Sequence, residues 1–203
     1  MRVAGRDCLV VGGGPVAERK VAGLLASEAQ VTVVAPAVTN VIAEWAQEGT
    51  IEWEARLFAK EDVSDKFLII AATDSQEINR EVTDEAEKLG KLVNVVNDPD
   101  RGNFVVPAMV RRGKLQIGVS TSGAAPLVAR RIRDELETRF GEEYAVYLDK
   151  LAEVRQVLLR DVLEVESRRA IWHRVVESDL LSLLRDGRLE EADRRIVELI
   201  GGL

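Results

Sequence analysis

Apolar residues fall in short runs along the first half of the chain and at helical spacing along the second. Cys8-Leu9-Val10-Val11 is an unbroken apolar run, too short for a helix and lacking polar alternation, so it predicts a strand covered on both faces. A helical pattern from Val16 to Glu28 follows, then a second strand at Val31-Thr32-Val33-Val34 that ends in Ala35-Pro36. The same reading predicts a helix over Val41 to Glu48, a short strand at Ile51-Glu52-Trp53 and a buried strand from Phe67 to Ala72. A helix from Gln76 to Leu89 and a strand from Leu92 to Val96 complete the series. Strands alternating with helices imply βαβ units, hence an α/β fold with a Rossmann-like parallel sheet and helices on both faces. After residue 100 the texture changes. Asn103 to Val110 and Leu115 to Ser120 read as a hairpin turning through Arg112-Gly113, and beyond Pro126 only amphipathic helices are predicted. Leu148, Leu151, Val154 and Leu158 share one such face, as do Leu180, Leu183 and Leu184. The expected division is residues 1–112 as a nucleotide-binding domain, 113–145 as a connecting region and 146–203 as a helical domain.

Composition narrows the function. A net charge of −7 argues against a nucleic-acid partner and requires any anion site to be a local basic cluster. One cysteine allows no internal disulfide framework. No run approaches the roughly 20 apolar residues of a membrane helix, and charges interrupt the N-terminus where a secretory signal would be apolar. The expectation is a cytoplasmic protein without a membrane partner.

Between the first strand and helix the sequence reads Gly12-Gly13-Gly14-Pro15-Val16-Ala17, matching the G-x-G-x-x-G/A turn. In such turns one glycine makes the bend and the next lets backbone approach a pyrophosphate. The last small residue packs the helix on the strand, and the helix N-terminus supplies N–H groups and a positive dipole end. The competing reading is a purely structural turn. The acidic residue that usually ends the second strand and holds a ribose hydroxyl is missing, because Ala35-Pro36-Ala37 stands there. No arginine is present there for a 2′-phosphate, so NAD is expected over NADP.

The glycine turn and three later stretches together resemble the NAD-dependent precorrin-2 dehydrogenases of sirohaem synthesis. Those stretches are AATD at 71–74, VNVVNDPDRGNFVVPA at 93–108 and VSTSGAAPLVARRIRDELE at 119–137. The resemblance implies an enzyme that oxidises precorrin-2 to sirohydrochlorin with NAD, some relatives also inserting ferrous iron. It implies a homodimer built through a dimerisation region, 113–145 here, and a separate uroporphyrinogen methyltransferase supplying the substrate. It assigns cofactor contacts to Pro15, Val16, Pro36 and Ala37, beside Gly12 and Gly14 of the turn itself and Thr73 and Asp74, which end a parallel strand at the carboxyl edge where ligands of such sheets bind. For Asp74 the plain alternative is an N-cap of the next helix. Two features depart from the family pattern. Its members carry a short segment before the glycine-turn strand, which predicts a missing edge strand or a trimmed start. They also place aspartate directly after NVV, where this chain has Asn97, with the carboxylate one residue later as Asp98. Both are candidate catalytic positions, with Asp98 the proton acceptor; the alternative is an Asx turn into Pro99.

Precorrin-2 is a carboxylate-rich macrocycle, so a binder needs clustered cations beside apolar surface. Arg111, Arg112 and Lys114 surround the predicted hairpin, and Arg130, Arg131 and Arg133 follow the SGAAP turn. The candidate substrate set is Ser120, Thr121, Ser122, Gly123, Arg130 and Arg133, against the alternative of a solvated charged helix face. His173 is the only histidine, so no metal site is expected. Two other functions fit part of this pattern: a regulatory module sensing NAD(H), and a chelatase without dehydrogenase activity.

Overall fold

Four consecutive apolar residues in a strand must be covered on both sides, and the sheet is built around that requirement. The computed structural model describes residues 2–96, 98 and 100–201, and its contacts divide the chain into two units meeting after Val106. In the first unit β1 (Asp7–Val11), β2 (Gln30–Val34), β3 (Glu52–Glu54), β4 (Leu68–Ala71) and β5 (Leu92–Val95) form a parallel sheet in the order β3-β2-β1-β4-β5. Alternation along β1 sends its side chains to two separate cores. Cys8 and Val10 pack with Ala17, Val21 and Leu24 of α1 (Pro15–Leu25) and with Ile42 of α2 (Asn40–Gln47). Leu9 and Val11 pack instead with Val82 and Ala86 of α3 (Gln76–Lys88). Helices therefore cover both faces. The chain runs outward from β1 through β2 to β3 and then crosses back to β4 on the other side of β1, which puts a topological switch at the carboxyl ends of β1 and β4.

Most elements match the sequence reading to within a residue or two, and the larger differences have local causes. Helix α1 stops at Leu25 rather than Glu28, because Glu28 adopts the left-handed conformation (φ 59°) that turns the chain toward β2. A 3-10 turn, Lys60–Val63, precedes β4 and anchors the fully buried Val63. The strand expected from Asn103 begins only at Ala108. Asn103 is already engaged at the edge of β5, its backbone N–H donating to Val93 O (3.0 Å). Its side chain accepts from Val93 N (2.9 Å) and donates to Lys91 O (2.8 Å). Pro107 then has no N–H to give a ladder. A side-chain amide thus stands in for a sixth strand on the exposed edge.

The second unit opens with the hairpin β6 (Ala108–Arg112) and β7 (Leu115–Val119), antiparallel with Arg112 opposite Leu115. Gly113, at φ 53°, makes the turn. Five helices follow: α4 (Pro126–Arg139), α5 (Glu143–Asp161), α6 (Val165–Val176), α7 (Leu180–Arg185) and α8 (Leu189–Ile200). Tyr147, Leu151, Val154 and Leu158 of α5 form their core with Val175, Leu180, Leu183, Leu184, Ala192 and Ile200. None of the described helices is long and apolar enough to cross a membrane.

Candidate functional site

The glycine turn answers its two readings residue by residue. Gly12 sits at φ 124°, and a Cβ there would lie 2.3 Å from Ala72 O. A Cβ on Gly13 would lie 2.0 Å from Ala37 O. These two glycines are demanded by packing, since the turn threads between the ends of β4 and β2. Hydrogen bonds fix it there: Gly12 N–H donates to Val34 O (3.0 Å) and Thr39 N–H to Gly13 O (2.9 Å). Gly14 is different. Its φ is −82°, and a Cβ would meet nothing within 4 Å. The space beside Gly14 opens onto the first turn of α1, where Pro15 is the first helical residue and no side chain caps the N-terminus. Bare backbone, a helix N-terminus and open space together make an anion cradle. This is the fit a dinucleotide pyrophosphate requires.

A cleft of about 400 Å³ opens at this switch point. Gly12, Gly14, Pro15, Val16, Pro36, Ala37, Thr73 and Asp74 all line it, so the structure brings the eight residues together. Buried Ala35 holds the turn after β2: its carbonyl accepts from Trp53 Nε1 (3.0 Å) and its N–H donates to Glu54 O (3.2 Å). That turn offers backbone and apolar surface in place of a carboxylate. At the end of β4, Thr73 is locked by Asn79, which is 8% exposed. Asn79 Oδ1 accepts from Thr73 N (3.2 Å), and its Nδ2 donates to Thr73 O (2.9 Å). The Thr73 hydroxyl also reaches Asn79 Oδ1 (2.8 Å) and Ser75 O (3.0 Å). The helix cap is Ser75, whose Oγ accepts from Ile78 N (3.3 Å). Asp74 is therefore not the N-cap and remains a polar group on the cleft wall.

Val96, just past β5, also lines the cleft. Asn97 lies outside the described residues. The Asp98 carboxylate meets Arg101 Nε at 3.2 Å with its side chain 46% exposed, and Asp98 O accepts from Arg101 N (3.2 Å). Arg101 was not visible as a partner in the sequence, because a charged pair three apart in a loop has no periodic signature. Asn94, on β5, donates to Phe104 O (3.1 Å) and accepts from Lys20 Nζ of α1 (3.3 Å). Burial, with a smaller push from Arg19, lowers the pKa of Lys20.

In the second unit the hydroxyls of the 120–125 turn are partly used internally. Ser120 Oγ accepts from Ser122 N (3.2 Å) and Thr121 Oγ1 from Ala125 N (3.2 Å). Ser122 (φ 51°) and Gly123 (φ 82°) turn the chain into α4. Arg133 pairs with Asp134 (2.6 Å) and Arg131 with Glu135 (3.2 Å), and Arg130 is exposed. The cations of the hairpin are committed elsewhere. Arg112 donates to Glu137 O (3.3 Å) and faces Glu142, and Lys114 pairs with Asp149. These bonds tie the hairpin to α4 and α5. His173 is an exposed helix residue facing Glu177 at 3.9 Å. No three His, Cys, Asp or Glu side chains converge among the described residues. Cys8 is fully buried, and burial, with Asp7 adding to it, pushes its thiol to a pKa of about 11, so it is no nucleophile.

A parallel sheet with a glycine turn and a cleft at its switch point defines a Rossmann-type dinucleotide-binding protein. Comparison with known proteins narrows the class. A family described as "Putative NAD(P)-binding" matches residues 1–108, and one described as "Sirohaem biosynthesis protein central" matches residues 112–139. The siroheme synthase of Methylococcus capsulatus is 38% identical over 191 residues, covering 94% of this chain and 40% of that protein. That of Nitrosococcus oceani is 34% identical over 202 residues, covering 100% and 43%. The chain thus spans less than half the length of these curated relatives. A solved structure named SirC, precorrin-2 dehydrogenase, superposes with a TM-score of 0.79 at 30% identity, covering 96% of this chain and 97% of that one. The chain belongs to this NAD(P)-binding family of sirohaem biosynthesis.

Proposed function

We propose that the chain is an NAD-dependent precorrin-2 dehydrogenase forming sirohydrochlorin in sirohaem biosynthesis. The observation that carries the reading is the bare Gly14 cradle at the switch point, in a chain that resembles SirC over nearly its full length. Bound NAD supplies the hydride acceptor. The backbone around Gly12, Gly14, Pro15 and Val16 holds the pyrophosphate, and Pro36 and Ala37 take the adenosine side through backbone contacts. Thr73 and Asp74 border the dinucleotide at the end of β4. Oxidation of precorrin-2 releases a proton with the hydride, and Asp98 accepts it, with Asn97 beside it as a neutral hydrogen-bonding group. Substrate carboxylates are met by Arg130 and Arg133, with Ser120, Thr121, Ser122 and Gly123 supplying hydroxyl and backbone donors.

The same reading makes the protein a cytoplasmic homodimer that dimerises through 113–145, with precorrin-2 delivered by a separate methyltransferase. The test is anaerobic turnover of enzymatically generated precorrin-2 with NAD, following NADH and the sirohydrochlorin spectrum together. Both should rise only with protein and NAD present, and Asp98→Ala should lower kcat on the order of 100-fold with NAD affinity unchanged. NAD binding without consumption of precorrin-2 would instead favour a regulatory NAD(H) module. Ferrous iron added to the finished reaction tests chelation separately.

A further inference from the structure

Leu57 is 66% exposed, more than any other large apolar residue described in the sheet unit, and it lines the cleft together with Pro36 and Ala37. Phe58 lines the cleft beside it and packs against the core that contains Val63. An exposed leucine on a loose loop would have no defined position, but this loop is clamped. Arg56 Nη1 donates to Leu57 O (3.0 Å) and to Asp62 Oδ2 (2.8 Å), while its Nη2 donates to Asp62 Oδ1 (2.6 Å) and to Glu54. Asp62 Oδ2 also accepts from Ala59 N (2.9 Å). Partial burial opposes ionisation of Asp62, yet the bonds from Arg56 and Ala59 outweigh it and hold the carboxyl below its usual range. One guanidinium and one carboxylate thereby close the segment between β3 and the 3-10 turn, whose Val63 is fully buried.

The sheet order says which end of a dinucleotide this rim faces. The glycine turn follows β1 and takes the pyrophosphate. Strands β2 and β3 lie to one side of β1, and β4 and β5, which leads to Asp98, to the other. If the reacting ring lies toward β5, the adenosine lies toward β2 and β3. Adenine is flat, uncharged at neutral pH and apolar on its faces, so an apolar wall is what it needs. Resting on the NAD reading above, we propose that Leu57 is the seat of the adenine ring, with Arg56 and Asp62 as positioning residues that hold it against the cleft.

The test is calorimetric titration of the whole chain with three probes: NAD, AMP and nicotinamide mononucleotide. Leu57→Ser alters an exposed side chain and leaves the fold intact. It should weaken NAD and AMP about five- to tenfold, with nicotinamide mononucleotide unchanged. Asp62→Ala, which releases the clamp without touching the cleft, should weaken the same two probes, and Leu57→Met should restore both. AMP affinity unchanged in Leu57→Ser, or a parallel loss of AMP and nicotinamide mononucleotide, overturns the assignment. NAD failing to bind the unsubstituted protein removes the NAD reading itself, and the seat with it. NAD binding normally to both protein and variant removes the seat alone.

Discussion

Gly12 and Gly14 stand two residues apart in one turn, yet a methyl group would meet opposite fates on them. At Gly12 it would strike Ala72 O at 2.3 Å on a backbone of φ 124°. Strain of this kind is worth about 1–3 kcal/mol, and the end of β4 would have to move. Gly12→Ala should therefore lower both the melting temperature and NAD affinity. At Gly14 the methyl would enter open space from an ordinary φ of −82°, losing only an N-cap preference of less than about 1 kcal/mol. If phosphate oxygens pack against that backbone, Gly14→Ala should nevertheless weaken NAD about tenfold, the equivalent of 1.4 kcal/mol. Thermal melting and NADH fluorescence titration on both variants measure the split, and a Gly14→Ala protein with full NAD affinity would show that the turn is only structural. The pattern G-x-G-x-x-A is legible in the sequence, but not this division of labour. It depends on Ala72 and Ala37, which approach the turn only once β2 and β4 flank β1.

Among the elements, those carried by a run of apolar residues were the legible ones. Four strands of the parallel sheet were readable from their own four or five positions, because burial on both faces leaves little polar alternation to confuse the reading. What escaped were polar side chains acting at a distance: Asn103 against β5, Trp53 Nε1 on Ala35 O, and Asn79 on Thr73. A lone asparagine in a helix has no periodic signal, and its partner is fixed only when α3 packs under the end of β4. Asn79 shows how much such a group can decide. It satisfies both the N–H and the carbonyl of Thr73 while itself almost wholly buried. Asn79→Ala would orphan two backbone groups at the cleft wall, at a cost of about 2–3 kcal/mol. The urea midpoint should fall accordingly. Asn79→Asp should not rescue it, since an oxygen would then face the Thr73 carbonyl.

Over the whole molecule, the polar surface that an acidic chain of net charge −7 presents is interrupted on α4. Leu127 is 77% exposed, Val128 49% and Ile132 38%, and Val128 and Ile132 lie one turn apart on the same face. Two buried aliphatic side chains per helix, matched across a two-fold axis, would gain several kcal/mol that solvent-exposed valine and isoleucine forgo. This face falls within 113–145, the region proposed to dimerise. Sedimentation of the 22.4 kDa chain should therefore report a dimer. Val128→Asp with Ile132→Asp should return it to a monomer, because burying two unpaired carboxylates at a self-complementary contact costs more than the contact supplies. NAD affinity should survive the change, since every residue lining the cofactor cleft belongs to the first unit. If turnover of precorrin-2 is lost while NAD still binds, the second copy is needed for the substrate and not for the cofactor. A monomeric parent chain would remove this use of α4 and leave its apolar face to another partner.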